Sequence, residues 1–568
     1  LCATFITTNV ARDLACRDFP LDHRDALRPT VHMQLRRFLD SVLLTMALVA
    51  CTASPQPSPD AHEPQTTPER TQGKETSRLA DVESFLAELA SLPHADRIRH
   101  QSFGTSHEGR DLPIVRVART DIDEASSLRA LILANIHAGE VEGKEAVQVL
   151  LREFAHGQHS DMLDRYVLYF VPVYNADGNE RVALTNRTEQ NGPEAVGERA
   201  NAQGLDLNRD FVKSEAPETR ALLAAMNRID PHLFFDLHTT DGSWHGYDLT
   251  YAPSLSPNCD PQIAALSRTL LDDATAALLA QASPIRTFDY GNFETRDWDG
   301  GGAPSSKDGV RGWWTYDHRA RYCVNGFGLR NRIGILSEAY SNAPFTERIA
   351  STRAFVLACL RAAAQREAQV RSTTREADER LVARREAARF GVDTQFAEPE
   401  HIEVLVGDCD RIPWPDGRGV RFAAKDGFKR ETMPVFRSFA SRRNVDLPAA
   451  WALPQPPQEV VDALRRHGVQ FRILSSPMET TVREFAVAKK RKPKRPFQGH
   501  QELVLEGAYN SPEPRTLPQG SLWIDARQPL ARLAATLLEP ESEDSLSTWN
   551  FLESQTGPCY PVLQVLSQ

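Results

Sequence analysis

The segment that most restricts the fold is LRALILANI, residues 128–136, which is apolar at nearly every position and stops at His137-Ala138-Gly139-Glu140. An apolar run of strand length without polar alternation describes a strand buried on both faces. Such strands belong to sheets covered by helices on either side. RYVLYFVPVY (165–174), HLFFDL (232–237) and NRIGILSEAY (331–340) repeat the pattern. Between these runs lie segments of helical period, among them KEAVQVLLREFAHG and PETRALLAAMNRI. The alternation predicts an α/β fold with a mixed, mostly parallel sheet and helices on both faces. Ligands of such sheets bind outside the carboxyl ends of the strands. The residues that end each run are therefore where chemistry is expected.

Three of those ends carry the right groups. His137 and Glu140 form an HxxE at a strand-to-helix junction, His238 directly follows HLFFDL, and Glu338 lies near the end of NRIGILSEAY. With 16 histidines in the chain, an isolated HxxE has little weight. Its placement with two further strand-end partners gives it weight. Two imidazoles and one carboxylate with a fourth position open make a catalytic zinc site. A second carboxylate nearby serves proton transfer. HExxH, GxSxG and Walker A patterns do not occur, which removes common rival chemistries.

This arrangement resembles the zinc metallocarboxypeptidases, the carboxypeptidase A-like family, over about residues 77–365. The resemblance implies that His137, Glu140 and His238 hold one Zn2+ per chain and that Glu338 is the general base acting on a zinc-bound water. GLDLNRDF (204–211) resembles the family's Asn-Arg motif. On that match Asn208 and Arg209 bind the substrate's terminal carboxylate, and Asp206 accepts a hydrogen bond from His137. WWTYDHRARY (313–322) resembles the segment bearing the mobile tyrosine, with Tyr316 the better match and Tyr322 in reserve. YNADGNERVALTNRTEQNG (174–192) resembles the stretch with the transition-state arginine. Arg187 fits best, with Arg181 and Arg199 left open because the spacing departs from the commonest pattern. The implied partner is a peptide with a free C-terminal carboxylate. Two alternatives stand beside it. One is a zinc amidase or deacylase acting on peptidoglycan stem peptides or acylated amino acids; the other is a catalytically silent binding lipoprotein.

The rest of the chain sets the context. The net charge of −10 argues against a nucleic-acid partner. One basic run, Lys489–Arg495, goes against that balance and reads either as a solvated loop or as a contact for an anionic surface. The first Met is Met33, and residues 1–32 have no clear periodicity; they are expected to be an upstream extension. Residues 33–51, MQLRRFLDSVLLTMALVAC, have the basic and apolar regions of a secretory signal. They end like a bacterial lipobox, so Cys51 is expected to be lipidated. This places the protein in the periplasm or at the cell surface, touching a membrane through its lipid alone. Residues 52–76, rich in Pro, Thr and Ser, read as a disordered tether. Residues 77–390 are then the catalytic domain with its closing helices, and 391–568 a separate, smaller β-rich domain. Cys259, Cys323, Cys359, Cys409 and Cys559 have no CxxC spacing, so at most two disulfides are expected. Nothing in the sequence sets the oligomeric state.

Overall fold

Alternate residues of the central strands enter two different cores. A computed structural model describes residues 63–240, 243–293, 311–383, 389–425 and 427–567. The strands are β1 (Ile98–Thr105), β2 (Asp111–Val117), β3 (Leu128–Ala134), β4 (Tyr166–Val171), β5 (Leu233–Thr239), β6 (Leu249–Pro253), β7 (Thr287–Asp289), β8 (Trp313–Trp314) and β9 (Ile333–Ala339). All but β8 form one 8-stranded sheet, ordered β1-β2-β4-β3-β5-β9-β6-β7. The middle of the sheet, β4-β3-β5-β9, is parallel throughout. The β1-β2, β2-β4 and β9-β6 pairs are antiparallel.

On one face, Ala130, Ile132, Leu233, Phe235 and Ile335 pack under helices Glu142–Ala155, Pro261–Leu279 and Phe345–Gln365. On the other, Leu131, Leu133, Phe234 and Leu336 meet helices Pro217–Ile229 and Cys323–Gly328. Each such Leu or Phe, fully buried, contributes about 1.5–3 kcal/mol. The strand period of two also fixes the chemistry. Asp236 and His238 share the face of Phe234, and Glu338 shares that of Leu336.

Helices Phe345–Gln365 and Glu367–Ala383 follow the last strand, as the Ala/Arg/Glu-rich pattern predicts. Beyond them the chain is mostly strand, including a 6-stranded sheet, with helices Gln458–Arg466 and Ala531–Leu538. Pro64–Gln568 forms one compact unit. Its β-rich part joins the catalytic part by backbone pairing, since β8 runs parallel to strand Lys429–Phe436. A buried ion pair, Arg321 to Asp544 at 2.8 Å, also crosses the junction.

The expected tether at 52–76 is too long. Its later part is ordered: Thr67–Thr71 is a helix with a Thr66/Glu69 capping box, and Glu69 pairs with Arg152 at 2.6 Å. Thr76 Oγ1 and the backbone and hydroxyl of Ser77 all donate to buried Glu145. These polar residues fold because they satisfy buried groups, not because they bury apolar surface. The expected extension, signal, lipidated Cys51 and early tether lie outside the described residues. So do residues 294–310. All five cysteines named above are free thiols. Among the described residues no helix is long and apolar enough to cross a membrane.

Candidate active site

The site forms where β3 and β5 end. After Ala134 the backbone turns through Asn135, at φ 66°, and the Glu140 N–H closes on the His137 carbonyl at 2.9 Å. Helix Glu142–Ala155 then leads away. Gly139 is required there, because a Cβ would meet Arg187 Cδ and the Gly197 carbonyl at 2.9 Å. On β5, His238 is in register with Glu338 of β9. Strand neighbours lie about 4.8 Å apart, so both side chains project from one spot on one face.

Among the described residues, one group of His, Cys, Asp or Glu could hold a metal: His137, Glu140 and His238, with ligand atoms within 4.8 Å of one another. His137 Nδ1 lies 3.0 Å from Glu140 Oε1, His238 Nδ1 2.8 Å from Glu140 Oε2, and the two Nδ1 atoms are 3.2 Å apart. The outer nitrogens explain why this is a cation site. His137 Nε2 is 3.1 Å from Asp206 Oδ1, and His238 Nε2 is 2.6 Å from Asp236 Oδ2. Each carboxylate fixes the proton on Nε2 and leaves a lone pair on Nδ1. Lone pairs and carboxylate oxygens thus converge with no proton among them, and a tetrahedral cation suits that donor set. Burial opposes charge on Glu140. The Arg187 guanidinium nevertheless helps to hold its carboxyl well below the usual range. Asp206 behaves alike, with Arg199, Arg209 and His137 overcoming burial.

The trio opens into a cavity of about 500 Å³ lined also by Asp206, Asn208, Arg209, Arg187, Tyr316 and Glu338. Of the expected site residues among the described ones, all but Arg181 face this one space. Residues 82–326 match the family model for zinc carboxypeptidase. That match takes in the His137, Glu140 and His238 trio and the Asn208-Arg209 pair, and ends before Glu338. The chain is also 24% identical over 562 residues to Carboxypeptidase 2 of Trichophyton tonsurans, covering 94% of this chain and 95% of that one. Identity to Carboxypeptidase Z of Mus musculus is 34% over 117 residues, 19% of this chain and 17% of that one. A crystal structure of a metallo-carboxypeptidase from Burkholderia cenocepacia aligns with TM-score 0.38 and 18% identity, over 51% of this chain and 70% of that one. The enzyme is a zinc metallocarboxypeptidase, and its metal is zinc.

The side chains of Asn208, Arg209 and Tyr316 are held from behind. The Asn208 carbonyl oxygen of its side chain accepts the Cys323 N–H at 2.9 Å. The Arg209 guanidinium carbon sits 4.0 Å from the Tyr322 ring centroid, and Nη1 donates to the Asn208 backbone carbonyl at 3.0 Å. The Tyr316 hydroxyl donates to Asn325 Oδ1 at 3.3 Å, and burial pushes its pKa well up, so it stays a donor.

Arg187 requires a correction. Its Nε donates to Gln190, Nη1 to Glu140 Oε1 at 2.9 Å, and Nη2 to the carbonyls of Thr239 and Thr240. A fork so occupied steadies a metal ligand and the end of β5; it is not disposed to reach a substrate oxyanion. Arg199, whose side chain is 47% exposed, lines the same cavity. It clasps Asp206 Oδ2 through Nε and Nη2, at 3.1 and 2.9 Å. Arg181 pairs with Glu108 and Glu198 instead.

Sequence reading missed Asp236. It lies two residues before His238 on the same strand face, which is the signal that could have found it. Cys323 Sγ donates to the same Asp236 oxygen at 2.8 Å. It also missed Phe497 and Gln498, which line the cavity from the β-rich part.

Proposed function

We propose that the enzyme releases the C-terminal residue of peptides, with Glu338 as general base. The observation that carries this reading is that Glu338, the His-Glu-His trio and the Asn208-Arg209 pair line one cavity. Zinc bound by the trio supplies Lewis acidity, lowering the pKa of a bound water from 15.7 towards about 7. Glu338, beside His238, takes the proton of the attacking water and returns it to the departing amine. Arg209 and Asn208 receive the terminal carboxylate, for which a guanidinium offers two parallel donors. Arg199 is our choice for the group that steadies the developing oxyanion, since its side chain is the more open of the two to the cavity. Tyr290, Tyr316, Tyr322, Val324 and Leu336 supply the apolar lining. They favour a bulky apolar side chain on the released residue. An amidase cleaving a bond with no free carboxylate beside it would have no need of the Asn208-Arg209 pair.

The test separates metal binding from turnover. Glu338→Gln should keep about one zinc per chain and lose about 10²–10⁴-fold in kcat, whereas His238→Ala should lose the metal. A metal-free Glu338→Gln, or a fully loaded His238→Ala, contradicts these roles.

For location we propose, on the sequence alone, export with lipid attached at Cys51. Mass spectrometry of the mature N-terminus checks it. A lipid-modified chain beginning at Cys51 is expected, and a mature chain carrying residues 1–32 would overturn it.

A further inference from the structure

One wall of the cavity does not come from the catalytic sheet. Phe497 and Gln498 sit at the tip of a tight hairpin, where Phe497 and His500 exchange both backbone hydrogen bonds at 2.7 and 2.9 Å. Gln498 and Gly499 have φ of 48° and 79°. Two successive positive φ values make a type I′ turn, which is why glycine holds the second place. The tip is fixed in position. Gln498 Oε1 accepts the Asp206 N–H at 2.9 Å, and Asp206 is the carboxylate that holds His137. His500 Nε2 lies 3.0 Å from both carboxylate oxygens of Glu215. The hairpin is therefore docked on the loop that supports a metal ligand.

The residues leading into this tip are the basic run Lys489–Arg495. Most of its charge is spoken for. Lys489 and Arg491 pair with Glu506, Lys492 with Glu553, and Lys490 donates to the Thr556 carbonyl. Lys494 and Arg495 are exposed. Among the described residues neither makes an ion pair or side-chain hydrogen bond. They precede Phe497 by three and two residues, so their backbones lie within about 11 Å of the cavity wall. A loop needing solubility alone would not require anchoring onto Asp206, nor two unpaired charges two and three residues before a cavity wall.

We propose that this hairpin is a substrate-selecting element: Lys494 and Arg495 draw in peptides with Asp or Glu just upstream of the released residue, and Phe497 and Gln498 form the wall along which that upstream chain lies. The proposal rests on the carboxypeptidase reading. With the released residue held at Arg209, the remaining peptide must leave by the mouth. An extended chain advances about 3.3–3.6 Å per residue. Charges carried by backbone within about 11 Å of the wall therefore meet the residues some two to four positions upstream.

The experiment compares kcat/KM of the full-length zinc enzyme on blocked peptides ending in Phe, with Glu-Glu, Ala-Ala or Lys-Lys at the second and third positions upstream of it. The Glu-Glu peptide should exceed Ala-Ala by about fivefold at low salt, as two exposed charge pairs allow, with Lys-Lys slowest. About 0.5 M NaCl should bring the ratios close to one. The double substitution Lys494→Gln/Arg495→Gln should abolish the Glu-Glu preference. Arg375→Gln should leave the preference in place, because Arg375 lies on helix Glu367–Ala383, which packs on the other face of the sheet. A preference that survives the double substitution, or is lost equally in Arg375→Gln, overturns the proposal. Equal wild-type rates on all three peptides overturn the proposal alone; three intact peptides overturn the carboxypeptidase reading with it.

Discussion

Zinc affinity here depends on residues that do not touch the metal. Asp206 and Asp236 each accept the outer N–H of one imidazole, so Asp206→Asn and Asp236→Asn should each weaken zinc binding about 10–100-fold. Competition against a graded chelator measures this, and unchanged affinity in Asp236→Asn would contradict its assigned part. The two arginines should separate by readout. Arg199→Ala should lower kcat by about 10²–10³-fold with zinc retained, while Arg187→Ala should show chiefly as weaker metal retention. The reverse pattern would restore Arg187 as the oxyanion donor. His137, Glu140, His238 and Glu338 were legible in the sequence because each closes an apolar run. Asp236 was not, since a lone acid inside HLFFDL looks like an interruption until the strand's two faces are separated. The choice of arginine lay in an irregular stretch with no period to read, and Gln498 meets Asp206 across 292 positions of sequence with no local signal.

At the level of elements, the four runs singled out in the sequence are the four adjacent parallel strands at the sheet's centre. Burial on both faces writes a strand plainly into composition. The outer strands do not have it: β1, IRHQSFGT, is mostly exposed and carries no apolar signature. The helical segments were equally plain, with PETRALLAAMNRI forming helix Pro217–Ile229 residue for residue. The segment before Leu79 was misjudged because its contribution is polar. Glu145 is fully buried and takes hydrogen bonds from Thr76 and Ser77. A chain starting at Leu79 should therefore be about 3 kcal/mol less stable than one starting at Pro64, since a buried carboxylate loses several donors. Urea unfolding of the two chains provides the comparison; equal midpoints would mean the segment is dispensable.

Across the whole molecule, the β-rich part is built into the catalytic part through β8 and through Arg321. Removing one partner of a buried ion pair costs about 3–5 kcal/mol, so Asp544→Ala should lower the stability of the catalytic part along with its own. Calorimetry of the zinc-loaded protein should show one unfolding transition. Two well-separated transitions would mean that the catalytic and β-rich parts fold independently. The sequence signalled a β-rich segment after residue 391 but not this integration, because parallel pairing of Trp313–Trp314 with Val435–Phe436 has no local marker.

The cavity should recognise a free C-terminal carboxylate through Arg209. The measurement is kcat/KM for one peptide as free acid and as C-terminal amide, with wild type and Arg209→Ala. Amidation should remove most wild-type activity, a loss of about 2–5 kcal/mol in transition-state stabilisation, since a desolvated guanidinium loses its charged partner. Arg209→Ala should keep its zinc, lose activity on the acid and discriminate little between the two. Equal wild-type rates on acid and amide would contradict carboxylate recognition and transfer the site to amidase chemistry.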